Sequence, residues 1–120
     1  MKHILMIATG GTIASKATAD GLTPQLTSKE LLAEVPELEQ LCRIDTVQLM
    51  NRDSTNINSS DWLQMAACVR AHYDAYDGFV LTHGTDTMAY TAAALSYLIQ
   101  NNAKPVVITG SQKSIFNQDT

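Results

Sequence analysis

The chain has 120 residues and a mass of 13.1 kDa, which fits one domain and excludes a large multidomain machine. Its 45% hydrophobic and 17% charged residues are typical of globular proteins, so disordered and collagen-like classes are excluded. Twelve acidic against eight basic residues give a net charge of −4, which provides no electrostatic attraction to nucleic acid or to an anionic membrane surface. We therefore predict neither nucleic acid nor a membrane as a partner.

The two cysteines, Cys42 and Cys68, lack the spacing of a metal-binding pair and are too few for a disulfide-rich secreted domain. We expect two free thiols in or near the core, where cysteine is usually found. No apolar run approaches the roughly 18 residues that cross a membrane. The apolar run 3–8 is too short for a signal peptide and is followed by Thr9 and two glycines. We predict a buried strand there and a cytoplasmic protein.

Short apolar segments alternate with segments of helical period along the chain, which is the pattern of an α/β protein with a parallel sheet. Four apolar segments predict strands, at residues 4–8, 44–50, 79–82 and 106–109. Residues 12–25 are small and polar and show no period, so we predict a loop there that is long enough to act as a mobile lid.

Capping signals predict the first helix. Thr27 and Glu30 have the spacing of a capping box, and Leu26 and Leu31 fit the accompanying hydrophobic staple. Pro36 lacks an N–H group and restricts the residue before it, so this helix should end ahead of it.

Two more helices separate the later strands. The second begins at Ser60 or Asp61, and its apolar face consists of Trp62, Met65, Ala66 and Val69. The third begins at Asp86 or Thr87 and continues to Ile99.

The predicted order is therefore βαβαβαβ. Because right-handed crossovers make such strands parallel, their carboxyl ends lie at one edge of the sheet, where ligands bind in open α/β folds. Polar loops leave that edge at residues 9–12, 53–55, 83–86 and 110–112. Their convergence is the main functional evidence in the sequence.

Gly10 and Gly11 directly follow the first strand, which allows a sharp turn and close approach to a ligand, with free N–H groups for an oxyanion. Thr12 then stands where a hydroxyl nucleophile would meet that site. A tight turn with an ordinary threonine fits the same residues. Neither a Walker lysine nor a G-x-G-x-x-G pattern is present, so both specific nucleotide-binding signatures are missing.

A second motif places Thr85 and Asp86 at the end of the third strand, before a helix whose N-terminus favours negative charge. A simple N-cap is the competing interpretation of Asp86. A third cluster, equally consistent with turn and capping chemistry, consists of Asp53, Ser54 and Thr55. Together these loops bring hydroxyls and carboxylates to one edge without a metal-ligand cluster, which suits acyl transfer by a hydroxyl nucleophile.

The histidines and aromatic residues carry weaker signals. His83 is either a base for that hydroxyl or a hydrogen-bonded core residue, whereas His3 and His72 show no partner pattern. No basic patch or aromatic stripe for base stacking is present. The aromatic residues predicted to pack in the core are Trp62, Tyr73 and Tyr76.

Two motifs resemble the signatures of the bacterial L-asparaginase family, residues 8–14 (ATGGTIA) and 81–88 (LTHGTDTM). The similarity continues through residues 53–55 and 105–112, and the N-terminus without a leader is most similar to the cytoplasmic type I branch. The resemblance implies an open, flavodoxin- or Rossmann-like parallel sheet in a homo-oligomer. It also implies hydrolysis of L-asparagine to L-aspartate and ammonia through an acyl-threonine intermediate, with no metal or other cofactor.

The resemblance assigns roles to individual residues. Thr12 matches the family's nucleophile. Thr85 and Asp86 match the second threonine and its aspartate, which support a deprotonated hydroxyl and help to position water, while the aspartate also holds the substrate's ammonium group. The implied substrate-binding residues are Gly11, Gly84, Thr85 and Asp86, together with Asp53, Ser54 and Thr55 for the α-carboxylate.

The sequence departs from the family at three points. Leu22 stands where family members often have a loop tyrosine, with Thr23 as the nearby hydroxyl. The family's catalytic lysine lies downstream of these residues, and Lys113 is no substitute for it. The family's smaller C-terminal domain is absent as well. We therefore expect residues 1–120 to form the N-terminal α/β domain of a two-domain protein, with an incomplete site in the isolated chain.

Two other functions fit the sequence. Asparaginase-like subunits of tRNA-dependent amidotransferases resemble this core, although they usually carry an N-terminal extension and the acidic charge disfavours tRNA. The non-enzymatic alternative is a flavodoxin-like module that holds a small anion in the loop 10–12.

Overall fold

The structure is a computed structural model that describes residues 1–18, 21–24 and 27–116, with the backbone alone for 15–18 and 21–24. The strands are β1 (His3–Gly10), β2 (Ser15–Thr18), β3 (Gly21–Pro24), β4 (Arg43–Arg52), β5 (Gly78–Thr82) and β6 (Val106–Thr109). The α-helices are α1 (Ser28–Ala33), α2 (Ser59–His72) and α3 (Met88–Leu98). Within these ranges, none of the helices has the length and apolar character needed to cross a membrane.

One parallel sheet organises the molecule, with its strands in the order β4-β1-β5-β6. The α/β class and the four predicted strands are confirmed. The direction of the strand order changes at β1, because the chain passes from β1 to β4 on one side and then to β5 on the other. The loops after β1 and β5 therefore border the position at which open α/β sheets bind ligands.

The segment after β1 differs from the loop that we predict from the sequence. Thr12–Ala14 forms a short 3₁₀ helix, and β2 pairs antiparallel with β3. Their small, polar residues lack the apolar contrast that marks a strand, so this pairing leaves no periodic signal in the sequence. Residues 19–20 and 25–26 lie outside the described residues, and so therefore does Leu26 of the expected hydrophobic staple.

The helix ends follow local capping chemistry. In α1, Thr27 Oγ1 accepts a hydrogen bond from Glu30 N–H and Glu30 Oε1 accepts one from Thr27 N–H, both at 3.3 Å, so the predicted capping box is confirmed. This helix ends ahead of Pro36, as predicted. α2 begins slightly earlier than predicted, because Asn58 and Asp61 form a second capping box.

Apolar side chains pack on both faces of the sheet. The larger cluster joins β1 and β5 to the predicted apolar face of α2, and its most buried members are Leu5, Ile7, Phe79, Leu81, Met65, Ala66 and Val69. Each large side chain buried in this way stabilises the fold by about 1.5–3 kcal/mol. The predicted aromatic residues pack against this cluster, and Cys68 belongs to it. Both cysteines are free thiols, as expected. The smaller cluster, on the opposite face, consists of Met6, Ala14 and Leu31.

A polar cluster surrounds Asp45 near the amino ends of β1 and β4. Its Oδ2 accepts a hydrogen bond from Tyr76 OH at 2.9 Å and lies 2.8 Å from His3 Nε2. These bonds, that of Tyr76 first, hold the pKa of Asp45 below its ordinary value. His3 thus has partners that the sequence pattern does not reveal, because the fold rather than sequence spacing brings the three residues together.

This cluster predicts a pH-dependent effect of Tyr76→Phe. Because the pKa of folded Asp45 is lowered, the associated stabilisation is present above the pKa of the unfolded chain and is lost as the pH falls through the folded value. Tyr76→Phe should therefore lower the melting temperature most at neutral pH, with a difference that shrinks toward acid pH. Melting curves followed by circular dichroism across this range measure the effect.

Tyr73→Phe is the matched control, since the Tyr73 hydroxyl donates to the neutral Asn102 side chain at 3.1 Å. Its cost in melting temperature should not change with acidification. A Tyr76→Phe effect of equal size at neutral and acid pH would contradict the assignment.

Candidate active site

The loops at the carboxyl edge of the sheet approach one another backbone to backbone. A Cβ atom added at Gly11 would lie 2.5 Å from both Cα and N of Gly84, and one added at Gly84 would lie 2.5 Å from Cβ of Ser54. A Cβ atom at Gly110 would collide with the carbonyl oxygen of His83. All four loops that we predict to converge therefore do so, and glycine makes their closest contacts possible.

The turn after β1 depends on both of its glycines. Gly10 and Gly11 have φ angles of +110° and +91°, in the region that side chains rarely adopt. The N–H group of Gly11 donates to the carbonyl oxygen of Arg52 at 3.1 Å. The prediction of a free Gly11 N–H is therefore wrong, because β4 lies beside this turn and takes up that donor.

Two half-buried threonines stand on facing loops. Thr12 begins the 3₁₀ helix after the glycines, and Thr85 lies between β5 and α3. Within the described part of the chain, neither hydroxyl makes a hydrogen bond, and the Thr85 N–H has no partner there either. These two hydroxyls are therefore available to a bound molecule.

The loop after β4 is fastened to the loop after β5. Ser54, only 3% exposed, accepts a hydrogen bond at Oγ from the Asp86 N–H at 3.1 Å. The Thr87 hydroxyl donates to the Ser54 carbonyl oxygen at 2.8 Å. Asp53 Oδ1 accepts from the Thr55 N–H at 3.2 Å and caps a 3₁₀ turn. The capping interpretation of Asp53 is confirmed, whereas the contact between Ser54 and Asp86 leaves no sequence signal.

The capping interpretation of Asp86 is wrong. α3 begins at Met88 with Thr87 in the N-cap position. Asp86 precedes the cap because Ser54 holds its N–H group. Its side chain is exposed, and within the described residues its carboxylate has no partner. An unpaired carboxylate at the same edge as two threonine hydroxyls is suited to bind a cationic group or to accept a hydrogen bond.

His83 is a core residue and not a base for this edge. The side chain is completely buried, and both ring nitrogens have partners. Nδ1 lies 2.6 Å from the Gly84 carbonyl oxygen, and Nε2 lies 2.9 Å from Thr91 Oγ1. The core interpretation of His83 is therefore confirmed. In the same described ranges, no three His, Cys, Asp or Glu side chains are placed to hold a metal ion.

The close contact at Gly11 predicts a large cost for Gly11→Ala. The new Cβ would meet the Gly84 backbone, and the positive φ angle adds strain, so unfolding should become easier by about 2–4 kcal/mol. Urea denaturation measures this difference. Gly78→Ala is the matched control, because its Cβ would come no closer than 3.1 Å to a neighbouring atom, on the Pro105 ring, and its φ angle is not positive. Equal losses for the two variants would argue against the backbone contact.

Comparison with known proteins identifies relatives of this chain. The family described as asparaginase, N-terminal, matches residues 3–120. The L-asparaginase of Thermococcus kodakarensis and L-asparaginase 1 of Escherichia coli are each 43% identical, over 113 and 117 residues. These alignments cover 93% and 92% of this chain and 34% of each relative. This chain thus spans about a third of the length of these two relatives.

A relative with a different name is similar to the same extent. A glutamyl-tRNA(Gln) amidotransferase subunit of Archaeoglobus fulgidus is 42% identical over 116 residues, which cover 95% of this chain and 28% of the relative. Among solved structures, the T. kodakarensis L-asparaginase has a TM-score of 0.86 at 42% identity, covering 96% of this chain and 35% of its own. A probable cytoplasmic L-asparaginase of Campylobacter jejuni has a TM-score of 0.85 at 34% identity, covering 98% and 35%.

Proposed function

This chain belongs to the asparaginase family, and we propose that it carries the nucleophile of an amidohydrolase that cleaves the side-chain amide of L-asparagine to L-aspartate and ammonia. The observation that carries this proposal is the contact of Gly11 with the Gly84 backbone. It brings the loop of Thr12 against the loop of Thr85 and Asp86, so that two hydroxyls and a carboxylate share one edge of the sheet.

The proposed reaction begins with attack of Thr12 Oγ on the amide carbonyl carbon. The C–N bond then breaks, the amide nitrogen takes up the proton of the Thr12 hydroxyl and leaves as ammonia, and an ester between Thr12 and the aspartyl group remains. Water hydrolyses this ester and returns the proton to the hydroxyl. Thr85 and Asp86 support the deprotonated hydroxyl and help to position the water. The mechanism requires groups beyond Thr12, since an unassisted hydroxyl is a weak nucleophile.

Substrate orientation in this proposal follows from charge. The exposed carboxylate of Asp86 pairs with the α-ammonium group of the amino acid. The segment of Asp53, Ser54 and Thr55 receives the α-carboxylate, with Thr55 offering an exposed hydroxyl and Asp53 holding the Thr55 N–H. Because the Gly11 N–H is engaged by Arg52, we assign the Thr85 N–H as a donor to the developing oxyanion.

A second function has its own support. The amidotransferase relative from A. fulgidus matches this chain as strongly as the asparaginases do. In that case the same chemistry would release ammonia for transfer to glutamyl-tRNA(Gln). Formation of glutaminyl-tRNA in the presence of a partner protein, rather than free ammonia release, would identify this function. We favour the asparaginase, because the net charge of −4 on these residues opposes tRNA binding. The cytoplasmic location and the homo-oligomeric state that the family resemblance implies are part of the same proposal.

Thr12→Ala tests the proposed nucleophile. We expect kcat for ammonia release from L-asparagine to fall by about 10³-fold or more, because the covalent step loses its oxygen. Thr12→Ser should keep measurable turnover. The coupled assay for ammonia is applied to the 120-residue chain and to any longer protein that contains it.

Thr27→Ala is the control of the same chemical change outside the site. It removes the N-cap of α1 and should cost about 1 kcal/mol of stability while leaving kcat unchanged. Ammonia release from the Thr12→Ala protein at the unmodified rate would exclude Thr12 as the nucleophile.

A further inference from the structure

A chain of hydrogen bonds runs through the core to the candidate site. Trp62 Nε1 donates to Thr91 Oγ1 at 2.8 Å, Thr91 Oγ1 lies 2.9 Å from His83 Nε2, and His83 Nδ1 lies 2.6 Å from the Gly84 carbonyl oxygen. This series of hydrogen bonds thus connects α2, α3 and the end of β5. Thr91 and His83 are both completely buried, so water cannot replace any of the inner bonds.

The groups at the two ends of this network, the Trp62 N–H and the Gly84 carbonyl, determine which atom donates and which accepts in each hydrogen bond. The Gly84 carbonyl oxygen can only accept, so His83 Nδ1 carries a proton and donates it. The Trp62 N–H can only donate, so Thr91 accepts from it and must place its own hydroxyl proton elsewhere. The remaining partner of Thr91 is His83 Nε2, which therefore accepts. Leaving the buried hydroxyl proton without an acceptor would be unfavourable.

The last hydrogen bond of this network orients the carbonyl of the Gly84–Thr85 peptide. Within the described residues, the bond from His83 is the one hydrogen bond that Gly84 makes. Gly84 must be a glycine, since a Cβ would collide with Ser54, and glycine leaves the backbone torsions on either side permissive. Without the histidine, no hydrogen bond in the described residues would hold the Gly84 carbonyl in its present orientation.

We propose that His83 is a positioning residue, which acts through the Gly84 carbonyl to orient the Thr85 N–H and hydroxyl toward the substrate. A trans peptide carries its C=O and N–H on opposite sides. Drawing the Gly84 carbonyl inward to His83 therefore turns the Thr85 N–H away from the core, where it has no partner in the described part of the chain. This inference rests on the proposed function for its kinetic consequence but not for its structural one.

Two substitutions at His83 test the contributions of the two ring nitrogens one at a time. The amide of His83→Asn replaces Nδ1 and keeps a donor for Gly84, whereas the amide of His83→Gln replaces Nε2 and keeps the partner of Thr91. We expect His83→Asn to retain kcat within about threefold and His83→Gln to lose about 10- to 100-fold, with a smaller change in KM. If His83 only filled space in the core, the two substitutions would lower kcat by similar factors.

Nuclear magnetic resonance provides a readout that does not depend on turnover. Long-range ¹H–¹⁵N correlation of the three histidine rings should show His83 with a protonated Nδ1 and an unprotonated Nε2. The backbone amide signal of Thr85 should move in His83→Gln and return toward its original position in His83→Asn. If neither His83 variant folds, Thr91→Val and Thr91→Ser provide the same comparison, because serine alone keeps the hydroxyl that donates to Nε2.

The outcomes distinguish this inference from the proposed function. Absence of ammonia release from any unmodified longer protein that contains these residues would refute the proposed function, while the ring protonation and the Thr85 signal would still decide the role of His83. A protonated Nε2 would overturn the inference, as would equal kcat values, or equally displaced Thr85 signals, in His83→Asn and His83→Gln. These results would leave the proposal of asparagine hydrolysis unchanged.

Discussion

Close backbone contact between Gly11 and Gly84 is the constraint on which the carboxyl edge depends. Parallel pairing of β1 with β5 brings the two turns side by side, but only the absence of Cβ atoms allows them to touch. The Gly11 N–H then fastens the same turn to Arg52 at the end of β4. Three strand ends are thereby fixed relative to one another, and Thr12 is positioned by backbone contacts rather than by its own side chain.

The two ends of the sheet use polar groups differently. At the amino end, the side chains of His3, Asp45 and Tyr76 bind one another and lower the pKa of the Asp45 carboxyl. At the carboxyl end, the bonds are made by residues that lie beside the threonines, Ser54 and His83 among them. Ser54 and His83 have partners within the protein, whereas the half-buried hydroxyls of Thr12 and Thr85 have none in the described residues. A group that solvent can reach costs little in this state, because water can hydrogen-bond to it.

Much of this arrangement could be predicted from local sequence, and the part that could not has a common cause. Apolar runs predict β1, β5 and β6, alternation along residues 44–50 predicts β4, and the Thr27 and Glu30 spacing predicts the start of α1. The Asn58 capping box has the same spacing signal and could have been found. The antiparallel pair β2 and β3 could not, since its residues carry no hydrophobic alternation. The bonds of Ser54 and His83 depend on which loops and helices become neighbours, which no local pattern encodes.

The carboxylates of Asp53 and Asp86, both at this edge of the sheet, differ in whether they already have a hydrogen-bond partner. Asp53 is turned into its own loop by the Thr55 N–H, so part of its charge is already engaged. Asp86 is held by its backbone at Ser54, and its carboxylate remains without a partner in the described residues. An amino acid carries one cationic and one anionic pole, and only its ammonium group would be attracted to Asp86. In the proposed function, the free carboxylate of Asp86 would therefore hold the ammonium end of the amino acid, which fixes one of its two charged groups at this edge.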